Sequence, residues 1–148
     1  MAETPRESAI AALLNVLAGA YPWKLGPARR LKLWSDVPAS SRPACFLFEG
    51  GQESYLWSEN ALPKRILEIR IFIYLNAKDP SIAGAALLNG VADALDAAFA
   101  QSGNDIVLGR NTLGGTVYHC RIDGKVLKDP GDLDGDALLI VPVRLVLP

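Results

Sequence analysis

The sequence has few of the residues that catalysis and covalent cross-linking use most, with two cysteines and one histidine among 148 residues. Cys45 and Cys120 are too few for a disulfide framework and do not form a Cys-x-x-Cys pair, so we expect reduced thiols in a protein made in the cytosol. No apolar run approaches the ~18 residues of a membrane span, and the first residues lack the pattern of a secretory signal. We therefore expect neither a membrane protein nor one exported by a standard signal.

Net charge is also close to zero. Fifteen basic residues against 16 acidic ones give a net charge of −1, which argues against a general role in coating nucleic acid. Arg29, Arg30 and Lys32 could contact a phosphate backbone with Trp34 as a stacking platform, but ordinary solvation of a strand explains them equally well. Apolar residues make up 50 % of the chain and the mean hydropathy is +0.18. We expect part of this apolar surplus to lie at subunit contacts.

Two segments carry the start signals of α-helices. Thr4 as a hydroxyl N-cap, Pro5 at the first helical position and Glu7 as the closing residue of a capping box predict a helix to about residue 20. An Asp-Pro pair at residues 79–80 repeats the signature and predicts a long helix to about residue 101. The apolar side chains of this second helix recur at spacings that place them on one face.

Apolar runs between these helices and after them predict strands. The predicted strands lie at residues 29–34, 43–48, 53–57, 64–76, 117–123 and 137–147. The run at 43–48 is apolar at odd and even positions alike, as in a central strand covered on both faces. Pro142 cannot donate to a ladder, so we expect the last strand to be an edge strand or to hold a bulge. The whole order predicts one α+β domain over residues 1–148, a mostly antiparallel sheet with an N-terminal helix and one long helix packed on it.

Candidate catalytic groups are sparse. His119 beside Cys120 suggests a thiol–imidazole pair, but neighbours on a strand point to opposite faces, so the two side chains diverge. Two thiols and one imidazole fall short of a four-ligand zinc site, and the glycine pairs at 50–51 and 114–115 lack the Lys-Ser or Lys-Thr of a phosphate loop. We therefore expect no metal, no cofactor and no enzymatic activity. A small enzyme with a site built from His119, Arg121 and the acidic loop is the alternative of a different class.

Negative charge concentrates in residues 123–136. Five aspartates, among them Asp132 and Asp134, stand against two lysines, a local net charge of −3. Counted from Asp132, glycine is the fourth residue and valine the twelfth, whereas an EF-hand needs glycine at the sixth position and glutamate at the twelfth. Two interpretations stay open: a solvated turn, or an electrostatic docking patch for a basic neighbour.

Aromatic side chains mark a second candidate surface. One parity of the strand at 64–76 is aliphatic and predicts a core face, whereas the other carries Arg70, Phe72 and Tyr74. Trp57, at the end of the preceding predicted strand, adds another ring. These aromatic residues pack either between subunits, with Arg70 beside them, or in the core, which is the more frequent fate of such residues.

The order of elements and several sequence motifs resemble small tail proteins of phages and prophages. The motifs are the helix start with Arg6 and Glu7, Leu33-Trp34-Ser35-Asp36 leading to Pro43-Ala44-Cys45-Phe46-Leu47, the strand Glu68 to Tyr74, the helix after Asp79-Pro80, and Gly124-Lys125-Val126 through Asp129-Pro130-Gly131-Asp132 to Val141-Pro142. The similarity covers nearly the whole chain. The class it resembles most is the tail terminator or tail completion proteins of long-tailed phages.

The resemblance implies a structural role in the virion, at its tail or neck, for a protein made in the host cytoplasm. Such proteins form a ring, typically six-fold, that caps the growing tail tube at its head-proximal end, stops polymerisation and offers a surface to the head's connector. The implied partners are further copies of the chain, the tail tube protein and the connector or stopper protein, with DNA only as cargo passing through the ring. The family has no catalytic residues to carry over. Another neck component, a head-tail stopper or adaptor, is the alternative in the same context.

Overall fold

The computed structural model describes residues 5–148, which form helices packed on a seven-stranded sheet. The helices are α1 (Pro5–Ala20), α2 (Gly84–Ala98) and the short α3 (Asn104–Leu108). The strands are β1 (Leu25–Ala28), β2 (Ala44–Phe48), β3 (Glu53–Leu56), β4 (Lys64–Asn76), β5 (His119–Ile122), β6 (Leu127–Asp129) and β7 (Asp136–Val146). This architecture confirms the predicted α+β class. The predicted cap at Thr4 lies outside the described residues.

The sheet is organised around β4, which is long enough to pair with two strands on one side. β7 runs antiparallel to β4 from Ile66 opposite Val146 to Asn76 opposite Asp136. On the other side of β4, β3 pairs with the first half and β2 with the second half. β5 and β6 divide the far side of β7 in the same way, and β1 joins β2 in parallel. The sheet therefore has two halves, which we call the β3–β5 half and the β2–β6 half.

The first face of the sheet carries the main core beneath α1 and α2. The predicted core stripe of β4 is confirmed, because its aliphatic parity, including Ile69, Ile71 and Ile73, is buried. The helices cover this stripe with side chains at helical spacing, namely Ile10, Leu13 and Leu17 of α1 and Leu88, Val91 and Leu95 of α2. Full burial of one such side chain stabilises a fold by about 1.5–3 kcal/mol. This layer therefore holds both helices on the sheet.

The second face of the sheet is covered over β2 and the end of β4. There Val37 packs with Ala44, Phe46 and Tyr74 in a small buried cluster. Tyr74 is only 5 % exposed, and its hydroxyl donates a hydrogen bond to the Lys32 carbonyl at 2.6 Å. The aromatic side of β4 is thus buried only at its end, near Tyr74. The chain between β1 and β2 (residues 29–43), which we call the covering segment, lies over that end.

That covering segment is not the strand predicted at residues 29–34. Leu31 packs against the small cluster, whereas Leu33 is exposed to solvent. The chain then makes two short 3₁₀ turns, at Trp34–Asp36 and Ala39–Ser41. The alternation of apolar and basic residues therefore belongs to an irregular segment, and the strand of this region, β1, forms before it.

Arg42 fixes the path of this segment across the sheet. Its side chain is 6 % exposed and donates hydrogen bonds to the carbonyls of Trp34, Val37 and Leu75. It also forms an ion pair with Asp136, the first residue of β7. A buried guanidinium needs such partners because an unpaired charge is costly to remove from water. Arg42 thereby joins the covering segment to both central strands.

β7 is a central strand, so the prediction of an edge strand or a bulge at Pro142 is wrong. The Asp123 N–H donates to the Pro142 carbonyl at 3.1 Å, which places the nitrogen of Pro142 on the same side, away from β4. On that side β5 pairs with β7 from Val143 onward and β6 pairs up to Ile140. The missing N–H therefore falls in the gap between two partner strands.

The long helix begins later than its Asp-Pro signal predicts. Asp79 accepts hydrogen bonds from the N–H and hydroxyl of Ser81, closing a turn ahead of the helix. The first residue of α2 is Gly84, where an added Cβ would lie 1.8 Å from the Pro130 carbonyl oxygen. Close packing against the loop before β7 thus sets the helix start. Within residues 5–148, no helix is long and apolar enough to cross a membrane.

Both cysteines are buried in the main core as free thiols. The strand order β2-β4-β7-β5 separates Cys45 from Cys120 by three strand spacings, about 14 Å, which is beyond the span of a disulfide.

We expect Cys45→Ser and Cys120→Ser each to lower the free energy of unfolding by about 1–3 kcal/mol, because each buries a hydroxyl among apolar side chains. Urea denaturation measures this, with the alanine variants as controls that lack the hydroxyl. Serine variants more stable than the alanine variants, or a Cys45–Cys120 disulfide in purified protein, would contradict the assignment.

We expect Asp136→Ala to lower the free energy of unfolding by about 1.5–3 kcal/mol, because it removes the charged partner of buried Arg42. Asp132→Ala, at an exposed aspartate four residues earlier, is the matched control and should change stability by less than about 0.5 kcal/mol. Equal stability of the two variants in urea denaturation would show that the ion pair does not hold the covering segment.

Candidate interaction surfaces

The structure separates the two groups that suggest thiol–imidazole chemistry. Cys120 points into the core, where burial raises the pKa of its thiol to about 12. His119 lies on the second face of the sheet, and partial burial lowers its pKa, with the positive charges of Arg121 and Arg110 lowering it further. A protonated thiol on one face and an imidazole among cations on the other do not form a nucleophile and base. In the described part of the chain, no group of three or more His, Cys, Asp or Glu side chains could hold a metal ion.

Beyond the small buried cluster, the second face of the sheet carries a shallow groove where β4, β7 and β6 lie side by side. We call it the open groove; it encloses about 290 Å³ and is lined by Arg70, Lys125, Leu127, Ile140 and Pro142. Its floor is apolar, and its two cations, Arg70 and Lys125, have no ion pair or hydrogen bond among residues 5–148. The groove therefore combines apolar surface with uncompensated positive charge.

A network of ion pairs lies beside the open groove. Arg144 contacts Glu68 at 3.4 Å and Asp123 at 3.6 Å, and Arg121 contacts the same Asp123 carboxylate at 3.0 Å. These neighbouring cations are therefore satisfied within the chain. Arg70, on the same face as Glu68 and opposite Pro142 in the ladder, stands outside this network.

The hairpin of β3 and β4 carries the most exposed aromatic side chain. Trp57 is 69 % exposed, and Leu56 and Leu62 beside it are also exposed. On the helix side, Arg6 of α1 donates to both carboxylate oxygens of Glu53 at 2.9 and 2.8 Å, which anchors β3 to the helix layer. A hairpin that exposes several large apolar side chains is typical of an interaction surface.

The outer edge of β3 is also open for strand pairing. Glu68 N–H donates to the Gln52 carbonyl, so the even-numbered residues of β4 face β3, and Ser54 and Leu56 face β4 in return. The N–H and C=O groups of Glu53 and Tyr55 therefore point outward. Exposed edges of this kind readily accept another strand.

The other strand edges are blunted or covered. β1 contains Pro27, which has no N–H, and β6 is only three residues long. The outer edge of β5 is occupied, because the Cys120 N–H donates to the Asn111 carbonyl at 2.8 Å. The loop that supplies Asn111 is held by Tyr118, whose ring lies between Lys64 at 3.5 Å and Arg110 at 4.1 Å. Among the strand edges described, that of β3 has no such protection.

The acidic segment does not form one patch. Asp129 and Asp134 accept hydrogen bonds from the N–H groups of Gly131 and Asp136, which closes two turns. Asp136 itself is taken up by Arg42. Asp132 has no ion pair or hydrogen bond in the described chain. Leu133 between these turns is fully exposed.

We call residues 132–134 the acidic tip: a leucine between two aspartates on a turn that its own hydrogen bonds shape. The candidate docking residues Asp132 and Asp134 thus lie together, while the remaining aspartates of the segment serve the fold.

The other predicted interface residues fall at three places. Arg70 lies in the open groove, and Phe72 lies next to it, half-buried against Phe48 with ring centroids 5.9 Å apart. Trp57 lies at the hairpin. Tyr74 is buried and is no longer a candidate for a surface contact. The structure therefore keeps the groove and the hairpin as candidate surfaces and removes one end of the predicted aromatic face.

Two features of the surface differ from the sequence-based expectations: an exposed apolar group on α3, and the basic residues near Arg29. Residues 106–108 of α3 are exposed, although the sequence patterns predict no element between the long helix and the strand at 117–123. Arg29 is not available to a phosphate backbone in this arrangement, because its guanidinium is bound by Glu7 and Glu49. The hydrogen bonds from Arg29 lower the pKa of the Glu7 carboxyl.

Comparisons with known proteins add no assignment to this geometry. The sequence matches no protein-family model and no curated protein.

Proposed function

We propose that this chain is a structural protein that assembles with itself into a closed ring, six-fold in the simplest case, at the head-proximal end of a phage tail. The ring ends polymerisation of the tail tube and joins the tail to the connector of the head. In this role the protein belongs to the virion, and DNA passes through the ring as cargo.

The observation that carries the proposal is the amount of organised apolar surface that the folded chain leaves uncovered. The open groove, the hairpin with Trp57, and residues 106–108 of α3 all expose apolar side chains. A soluble monomer rarely keeps several such surfaces exposed to water. Different surfaces that pair between rotated copies bury one another, and such head-to-tail contacts close into rings.

The α+β fold and the sequence motifs support the phage context. The motif from Leu33 to Asp36 forms the first turn of the covering segment, and the motif from Gly124 to Val126 lies beside the open groove. Both motifs therefore shape the second face of the sheet, on which the proposed contacts depend. The tail tube protein and the connector or stopper protein are the partners of the two outer faces of the ring.

A head-tail stopper or adaptor is the second candidate, because it would use the same exposed surfaces in the same region of the virion. Removing the gene separates the candidates. Without a terminator, electron microscopy should show tails of uncontrolled length that do not join heads. Tails of normal length that fail to join heads would favour a stopper, and normal tails on filled heads would contradict both.

We expect Trp57→Ala to weaken self-association by about tenfold or more, because large exposed aromatic residues dominate the energetics of subunit contacts. Trp34→Ala is the matched control, since Trp34 is exposed on the covering segment away from the hairpin. Sedimentation velocity over a range of concentrations measures both. Equal weakening by the two substitutions, or none by Trp57→Ala, would remove the hairpin from the assembly.

A further inference from the structure

The open groove presents two cations on either side of an apolar strip. Arg70 lies in the middle of β4, and Lys125 lies in the loop between β5 and β6. Leu127, Ile140 and Pro142 form the floor between them. Because both cations are unpaired within the described chain, an incoming segment with negative charge gains two partners without breaking an existing ion pair.

The acidic tip has the complementary composition. Leu133 is fully exposed, with Asp132 before it and Asp134 after it. The hydrogen bond from the Asp136 N–H to Asp134 at 2.9 Å fixes the turn, so binding does not have to order it. Burial of one leucine side chain contributes about 1.5–3 kcal/mol. The tip therefore offers one apolar anchor between two charges, and the groove offers an apolar floor between two charges of the opposite sign.

The tip and the groove of one chain are too far apart to meet. The tip lies just before Asp136 at the start of β7, and the groove begins at Ile140, four residues further along the strand. At ~3.3 Å per residue, this extended stretch separates the tip from the nearest end of the groove by about 13 Å, which is longer than a leucine side chain. The tip that fills a groove must therefore come from another copy of the chain.

We propose that the acidic tip of one copy binds in the open groove of the next copy. Leu133 packs on Leu127, Ile140 and Pro142, and the carboxylates of the tip face Arg70 and Lys125. This inference rests on the proposed ring and names its subunit contact. The contact joins two different surfaces, so each copy uses its tip toward one neighbour and its groove toward the other, as a closed ring requires.

Charge reversal tests the contact, with Asp132→Lys at the tip and Arg70→Glu in the groove. Either change alone places like charges opposite each other at every contact of a homo-oligomer. We expect each variant to associate at least tenfold more weakly than the wild type in sedimentation velocity. Asp93→Lys on α2 and Lys24→Glu before β1 are matched controls, because they make the same charge changes at exposed residues elsewhere.

An equimolar mixture of the two variants makes the test specific. In an alternating assembly, every lysine introduced at the tip faces a glutamate introduced in the groove, and every remaining contact is the native one. We expect the mixture to recover association to within about threefold of the wild type. The double variant Asp132→Lys/Arg70→Glu should recover it in the same way. If Arg70→Glu does not fold by circular dichroism, Lys125→Glu replaces it, outside the strands.

The outcomes separate this contact from the proposed ring. Wild-type association that both single variants retain, or losses that the mixture does not recover, would overturn the contact while the ring stands. A wild-type chain that stays monomeric at all concentrations would overturn the ring and the contact together.

Discussion

The pairing of β4 with β7 is the interaction on which the rest of the structure depends. These two strands pair over eleven residues, and every other strand but β1 pairs directly with one of them. Their shared alternation creates one aliphatic face for the helices and one mixed face that only part of the chain covers. The core and the candidate surfaces are thus two sides of the same ladder, so the register that buries Ile71 also places Arg70 in the open groove.

Local patterns predict the elements whose burial follows a simple period. β4 appears at its predicted bounds because its aliphatic residues alternate without interruption, and β2 is covered on both faces as its double parity indicates. The central position of β7 could not be predicted. Pro142 lacks an N–H on one side of the strand only, and the gap between β5 and β6 that accommodates it forms only in the folded chain. The sequence pattern at residues 29–34 predicts a strand, but the path of the covering segment is fixed by the hydrogen bonds and the ion pair of Arg42, which local sequence does not reveal.

The candidate surfaces show the same division. Sequence alternation places Arg70, Phe72 and Tyr74 on one face, but only tertiary structure shows that the covering segment buries Tyr74 and stops before Arg70. The sequence suggests one acidic patch over residues 123–136. In the structure, Asp136 forms an ion pair with Arg42, so the acidic tip is the part of this run that is free to contact a partner. The partner of Arg42 could not be read from local sequence, because Asp136 lies 94 residues away.

In the proposed role, the exposed surfaces of this chain are the subunit contacts of a closed ring. Native mass spectrometry of the purified wild-type protein tests it most directly, because it counts the copies in each assembly. We expect one discrete oligomer, six copies in the simplest case, with no series of larger species. A monomer at every concentration, or an open series of masses without a preferred number of copies, would contradict it.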